Sequence, residues 1–118
     1  MLDSVHVNGR LTLGENAADL GGLSVAYAAL QKALAGKPRP PLIDGLTPEQ
    51  RFFLAWAQIW RSNTTPETTR LLVNTDPHSP GRWRTNGPLS NMPEFAQAYG
   101  CKPGDPMVRP DSVRATLW

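Results

Sequence analysis

Two short stretches carry the side chains able to do chemistry. The first is Gly14-Glu15-Asn16-Ala17-Ala18-Asp19-Leu20-Gly21-Gly22-Leu23, with two carboxylates four residues apart. At about 100° per residue these acids lie on one side of a helix, one turn apart. Gly22 and Ala26 continue that side, while Leu20, Leu23, Tyr27, Leu30 and Leu34 form an apolar stripe roughly a quarter-turn away. The acids therefore flank the buried seam, beside small residues that admit a neighbouring element. Two readings fit this spacing. In one, the acids stand in the first turn and offset the helix dipole. In the other, Glu15 is a metal ligand and Asp19 accepts a hydrogen bond from a metal-bound histidine, fixing its tautomer. Spacing does not choose between them.

The second stretch is Asp76-Pro77-His78-Ser79-Pro80-Gly81-Arg82-Trp83-Arg84. His78 lies in a loop stiffened by two prolines. Such a histidine is usually a surface residue, although loops on rigid supports also carry sites. Asp76 is placed to orient the imidazole, but acids are equally common as turn residues.

The elements that must position these residues are helical. The first helix runs from about 15 to 35 and stops at Gly36, with Pro38, Pro40 and Pro41 beyond. Gly21 and Gly22 each cost about 1 kcal/mol relative to alanine, which suggests close packing there. Before it, Asn8-Gly9 between loosely alternating apolar residues reads as a short hairpin or an extended lead-in, with His6 on the surface. Thr47-Pro48-Glu49-Gln50 starts a second helix by cap, first-turn proline and capping box. Its face, Phe52, Phe53, Trp56, Ile59 and Trp60, is the main hydrophobic anchor. Thr65-Pro66-Glu67 opens a shorter third helix that fades near Asn74. Residues 75–88 read as loop, with a short extended piece near Trp83. Asn91-Met92-Pro93-Glu94 begins a fourth helix with a capping-box pattern, ending at Gly100, and 101–118 is mostly irregular. The expected fold class is mainly α: about four helices with long loops.

Composition sets outer limits. A chain of 118 residues fits one domain with one core, and 40% hydrophobic with 19% charged residues is globular. Twelve prolines and ten glycines favour loops. A net charge of +2 with scattered basic residues gives no case for nucleic acid. The single cysteine, Cys101, excludes an intrachain disulfide and a cysteine-based zinc site. No apolar run approaches bilayer length, and Met1–His6 lacks the signal-peptide pattern.

The string E-N-A-A-D-L-G-G-L resembles the third-ligand motif of the neprilysin and endothelin-converting-enzyme family of zinc metallopeptidases. D-P-H-S-P-G-R-W-R resembles that family's segment near its C-terminus, and F-F-L-A-W-A-Q-I-W and G-C-K-P-G extend the likeness over about 8 to 118. The resemblance implies that residues 1–118 are the C-terminal portion of a zincin-like catalytic domain. It implies Glu15 as a zinc ligand and Asp19 as the partner of a zinc-bound histidine. It implies His78 as donor to the oxyanion, Asp76 as the acid preceding it, and Arg84 as the substrate contact. Zinc would be the cofactor, peptides the substrates, and the setting extracytoplasmic. Cys101 matches one of the cysteines that animal members pair, so any partner for it would lie outside this chain.

One part of the pattern is absent. The family's H-E-x-x-H supplies two zinc ligands and a general base, and this sequence has only His6 and His78, neither in that pattern. The chain alone is therefore expected neither to cleave peptides nor to hold zinc tightly. Its partner would be the preceding part of the same enzyme, and the face meant for that part would favour self-association. Two rival readings are a stand-alone helical interaction module using exposed tryptophans, and a catalytically dead paralogue. An H-E-x-x-H in the reading frame upstream would decide for the peptidase.

Overall fold

The computed structural model describes residues 5–117. Asn8 does not turn a hairpin in it. Its φ is −77° and its side-chain oxygen accepts from the backbone N–H groups of Arg10 and Leu11 at 3.1 and 3.2 Å, which makes it a helix cap. Asn-Gly serves either purpose, and here the cap wins. Helix α1 therefore spans Gly9–Leu34 and starts six residues earlier than expected. Met1–Ser4 of the expected hairpin lie outside the described residues. The earlier start moves Glu15 and Asp19 about two and three turns into the helix. No acid stands in the first turn, so the dipole reading of these carboxylates fails.

Helix α2 (Pro48–Ile59) begins as its sequence predicts. Thr47 Oγ1 accepts from Gln50 N–H at 3.2 Å, and Gln50 Oε1 accepts from Thr47 N–H at 3.0 Å. Phe53 is 1% exposed and stacks on Tyr27 of α1 with ring centroids 5.2 Å apart. The apolar face is narrower than its periodicity suggested, because Ile59 is exposed and Trp60 lies against Trp56 and the Arg84 guanidinium rather than among the core residues. Helix α3 (Pro66–Thr75) is capped by Thr65 and buries only Val73.

Helix α4 (Gly81–Asn91) replaces the expected loop and the expected extended piece at Trp83. Two features disguise it in the sequence. Gly81 reads as loop punctuation, but it is a contact point: a Cβ there would lie 2.5 Å from the Trp60 carbonyl oxygen. Pro88 reads as a helix breaker, yet the helix runs through it, with Trp56 Nε1 donating to the Arg84 carbonyl at 3.0 Å.

Helix α5 (Pro93–Tyr99) starts without the predicted capping box. Its N-cap is Met92, which makes no side-chain cap bond. Asn91 instead exchanges two hydrogen bonds with the Ala115 backbone, at 2.6 and 2.8 Å, and pins the tail to α4. Gly100, at φ 67°, ends α5 in the left-handed conformation that glycine adopts freely. Gln50 Nε2 to the Ala98 carbonyl and Tyr99 Oη to the Gln50 carbonyl, both 2.9 Å, tie α5 to α2. Among its described residues the tail is irregular apart from one 3₁₀ turn at Asp111–Val113.

Among the described residues the regular structure is helical, apart from one isolated bridge between Ile43 and Leu46. The core gathers Leu23 of α1, Phe53 of α2, Leu89 of α4 and Met92, with Leu20, Tyr27, Phe52, Trp56 and Phe95 packed around them. It holds the middle of α1 beside α4, and so holds the first chemical stretch beside the second.

Candidate functional site

The loop between α3 and α4 brings His78 to Glu15. The imidazole Nε2 lies 3.2 Å from Glu15 Oε2, and Nδ1 lies 2.7 Å from Asp76 Oδ1. That same Asp76 oxygen accepts the His78 backbone N–H at 2.8 Å. The backbone N–H is the leading reason the Asp76 carboxyl sits below the usual aspartate range, and the imidazole adds to it. Ionised carboxylates only accept, so an imidazolium donates to both acids while a neutral ring donates to one. The Glu15 and His78 side chains are both close to half-exposed.

One turn along α1 the second pair is of a different kind. Arg84 Nε and Nη2 donate to Asp19 Oδ2 and Oδ1 at 2.7 and 2.6 Å, a bidentate fork. The side chains are only 14% and 8% exposed. The hydrogen bonds it donates to Asp19 raise the Arg84 guanidinium above the usual arginine value, outweighing burial. Trp60 lies against the guanidinium, its ring centroid 3.8 Å from Cζ, which is cation–π distance. The family resemblance implies separate tasks for Asp19 and Arg84; the fold makes them partners.

Three polar residues that sequence reasoning passed over join the two stretches. Ser79 Oγ, next to His78, donates to Asn16 Oδ1 at 2.8 Å. Asn16 Nδ2 donates to Thr12 Oγ1 at 3.1 Å, and Thr12 Oγ1 donates to the Asn8 carbonyl at 3.1 Å. The signal was present: Asn8, Thr12 and Asn16 recur at four-residue spacing, which puts them on one helix side. Reading α1 from residue 15 hid it. Gly22, expected beside a close neighbour, has nothing within 4 Å of a would-be Cβ, and the buried glycine is Gly21.

Other candidates lie apart from these pairs. Cys101 is a half-buried free thiol. His6 is exposed at the rim of an apolar cavity of about 570 Å³ between the start of α1, α4 and the tail. Among the described residues no three His, Cys, Asp or Glu side chains converge as a metal cage. The donor set fits one corner of a zinc site: a single, partly open carboxylate on a helix whose next turn is anchored by a buried fork.

The chain belongs to Peptidase family M13, whose model matches residues 1–115. It is 48% identical over 118 residues to Neprilysin-1 of Caenorhabditis elegans, covering 97% of this chain and 15% of that protein. It is 52% identical over 108 residues to human endothelin-converting enzyme 1, covering 88% and 14%. The fold is similar to that of the Mycobacterium tuberculosis zinc metalloprotease Zmp1 solved in complex with an inhibitor, with TM-score 0.92 and 42% identity over 99% of this chain and 18% of that one. The chain thus spans about 15% of the length of the first relative.

Proposed function

We propose that this chain supplies one corner of the metal site, and the contacts to substrate, of a zinc-dependent peptide hydrolase. The observation that carries the reading is the meeting of four side chains: Glu15 and Asp19 from α1 face His78 and Arg84 from the start of α4 and its preceding loop. Bound zinc supplies Lewis-acid activation of water and of the substrate carbonyl. Glu15 is the residue here that would hold it, with two further ligands and the general base coming from an H-E-x-x-H elsewhere in a longer polypeptide.

Each remaining residue has a task its geometry supports. Asp19 uses one lone pair of each oxygen on Arg84 and keeps others for the N–H of a ligating histidine. His78, oriented by Asp76, is a donor held in place before negative charge develops on the substrate oxygen. Arg84 commits Nε and one Nη2 hydrogen to Asp19, which leaves further donors of its five for a substrate carbonyl or carboxylate. The substrates are peptides, and the setting is extracytoplasmic. By itself the 118-residue chain neither cleaves peptides nor retains zinc, and it self-associates, with large apolar side chains such as Leu13, Ile59 and Leu71 exposed to water.

The test joins calorimetric zinc titration to a peptide-hydrolysis assay. The chain alone should show no chelator-sensitive turnover and no tight zinc binding. In a longer polypeptide carrying H-E-x-x-H, Glu15→Ala should abolish metal retention. His78→Ala should retain metal and lower kcat about 10²- to 10³-fold, as loss of one oxyanion donor does. Sub-micromolar zinc binding by the 118-residue chain that vanishes in Glu15→Ala would overturn the one-corner reading.

A further inference from the structure

Helix α4 carries Pro88 in its interior. Proline has no N–H, so the carbonyl four residues earlier loses its helical donor, and the ring crowds that same carbonyl. The residue four back is Arg84, whose guanidinium grips Asp19. Its carbonyl is not left without a partner. The indole Nε1 of Trp56, on α2, donates to it at 3.0 Å.

The two needs match. A partly buried carbonyl requires a donor, and a tryptophan packed on the core requires an acceptor for its one N–H. Trp60 shows that the match is not a general property of tryptophans here. Its ring stacks on the Arg84 guanidinium, yet its own Nε1 is buried without a hydrogen-bond partner. Trp56 therefore acts on the Arg84 main chain through its N–H, and Trp60 acts on the Arg84 side chain through its face.

We propose that Trp56 is a positioning residue for Arg84: its indole N–H replaces the one Pro88 lacks and so fixes the backbone from which the Asp19 fork is held. Trp56 and Pro88 then form a compensating pair: the donor that Pro88 removes is the one Trp56 supplies. The value of this to catalysis rests on the reading of Arg84 as a substrate contact; the positioning itself does not.

The experiment uses the 118-residue chain and the Arg84 Nε–H proton, observed by NMR, assigned by its loss in Arg84→Lys and followed by hydrogen exchange. In the parent chain this proton is protected by its bond to Asp19. Trp56→Phe keeps the aromatic bulk but removes the donor, and Arg84 Nε–H protection should be lost. Pro88→Ala alone should leave protection intact. The double variant Trp56→Phe with Pro88→Ala restores a backbone N–H to the Arg84 carbonyl, and protection should return. A role in packing alone predicts no such rescue. Unchanged protection in Trp56→Phe, or a double variant as unprotected as the single one, overturns the proposal. If Trp56→Phe fails to fold, the double variant decides. Recovery of both fold and protection supports the pairing, and continued unfolding assigns Trp56 to the core and overturns it. Failure of the substrate role of Arg84 would leave all these signals unmoved and would appear instead as unchanged kcat and KM for Arg84→Lys in the longer enzyme.

Discussion

Glu15–His78 and Asp19–Arg84 each join an α1 carboxylate to a nitrogen side chain of the second chemical stretch, one helical turn apart, and they are built in opposite ways. Asp19–Arg84 is bidentate, nearly buried, stacked on Trp60 and held through its backbone by Trp56. Glu15–His78 is a single 3.2 Å contact between half-open side chains. Removing one member of a buried pair strands a charge out of water, whereas an exposed pair exchanges its partner for water at little cost. The inner pair is thus a fixed support. The outer pair can be given up, which a residue must do if it is to bind a metal or a reacting oxygen.

Variants can break that contrast. The largest effect is expected from Asp19→Ala, which leaves the Arg84 guanidinium buried and unpaired. The loss should be about 3–5 kcal/mol by denaturant unfolding. A loss below about 1 kcal/mol, the range of exposed pairs, would erase the distinction. Gly81→Ala comes next, because its methyl group meets the Trp60 carbonyl and must push α4 away from α2. The expected cost is about 1–3 kcal/mol, that of overpacking, with loss of the Arg84–Trp60 stack. Trp60 fluorescence would report that loss.

Glu15→Gln should change stability by less than about 1 kcal/mol, since both partners are solvated. The same substitution should matter greatly for metal retention in a longer enzyme, and that divergence sharpens the comparison.

The smallest effect concerns Asp76. Its folded-state pKa is depressed, so its contribution is present above the unfolded pKa and disappears as pH falls through the lower, folded one. Carboxyl carbon shifts should place its midpoint below the usual aspartate range. His78→Ala should raise that midpoint only partly, because the leading cause is the backbone N–H at residue 78, which alanine keeps. Return to the ordinary aspartate value would mean that the imidazole alone sets the Asp76 charge.

Elements written in local chemistry were legible from sequence. The starts of α2 and α3 are set by Thr47 and Thr65, whose hydroxyls reach N–H groups three residues on, and the end of α5 by Gly100. The shared side of Glu15 and Asp19 on α1 was legible too, because helical spacing puts the two together wherever the helix begins. The start of α1 was not, since Asn8-Gly9 suits a cap and a turn equally well. Nor was α5's cap, because Asn91 prefers the Ala115 backbone, 24 residues away.

Sequence alone determined which residue types stand at which helical spacing, and the match to the M13 family follows from those strings. Tertiary structure decided that 81–91 is a helix and that Asp19 and Arg84 are partners. The reason is physical: the helix depends on a carbonyl satisfied from α2, and the pair joins residues 65 positions apart. No local propensity encodes a donor that arrives from another helix.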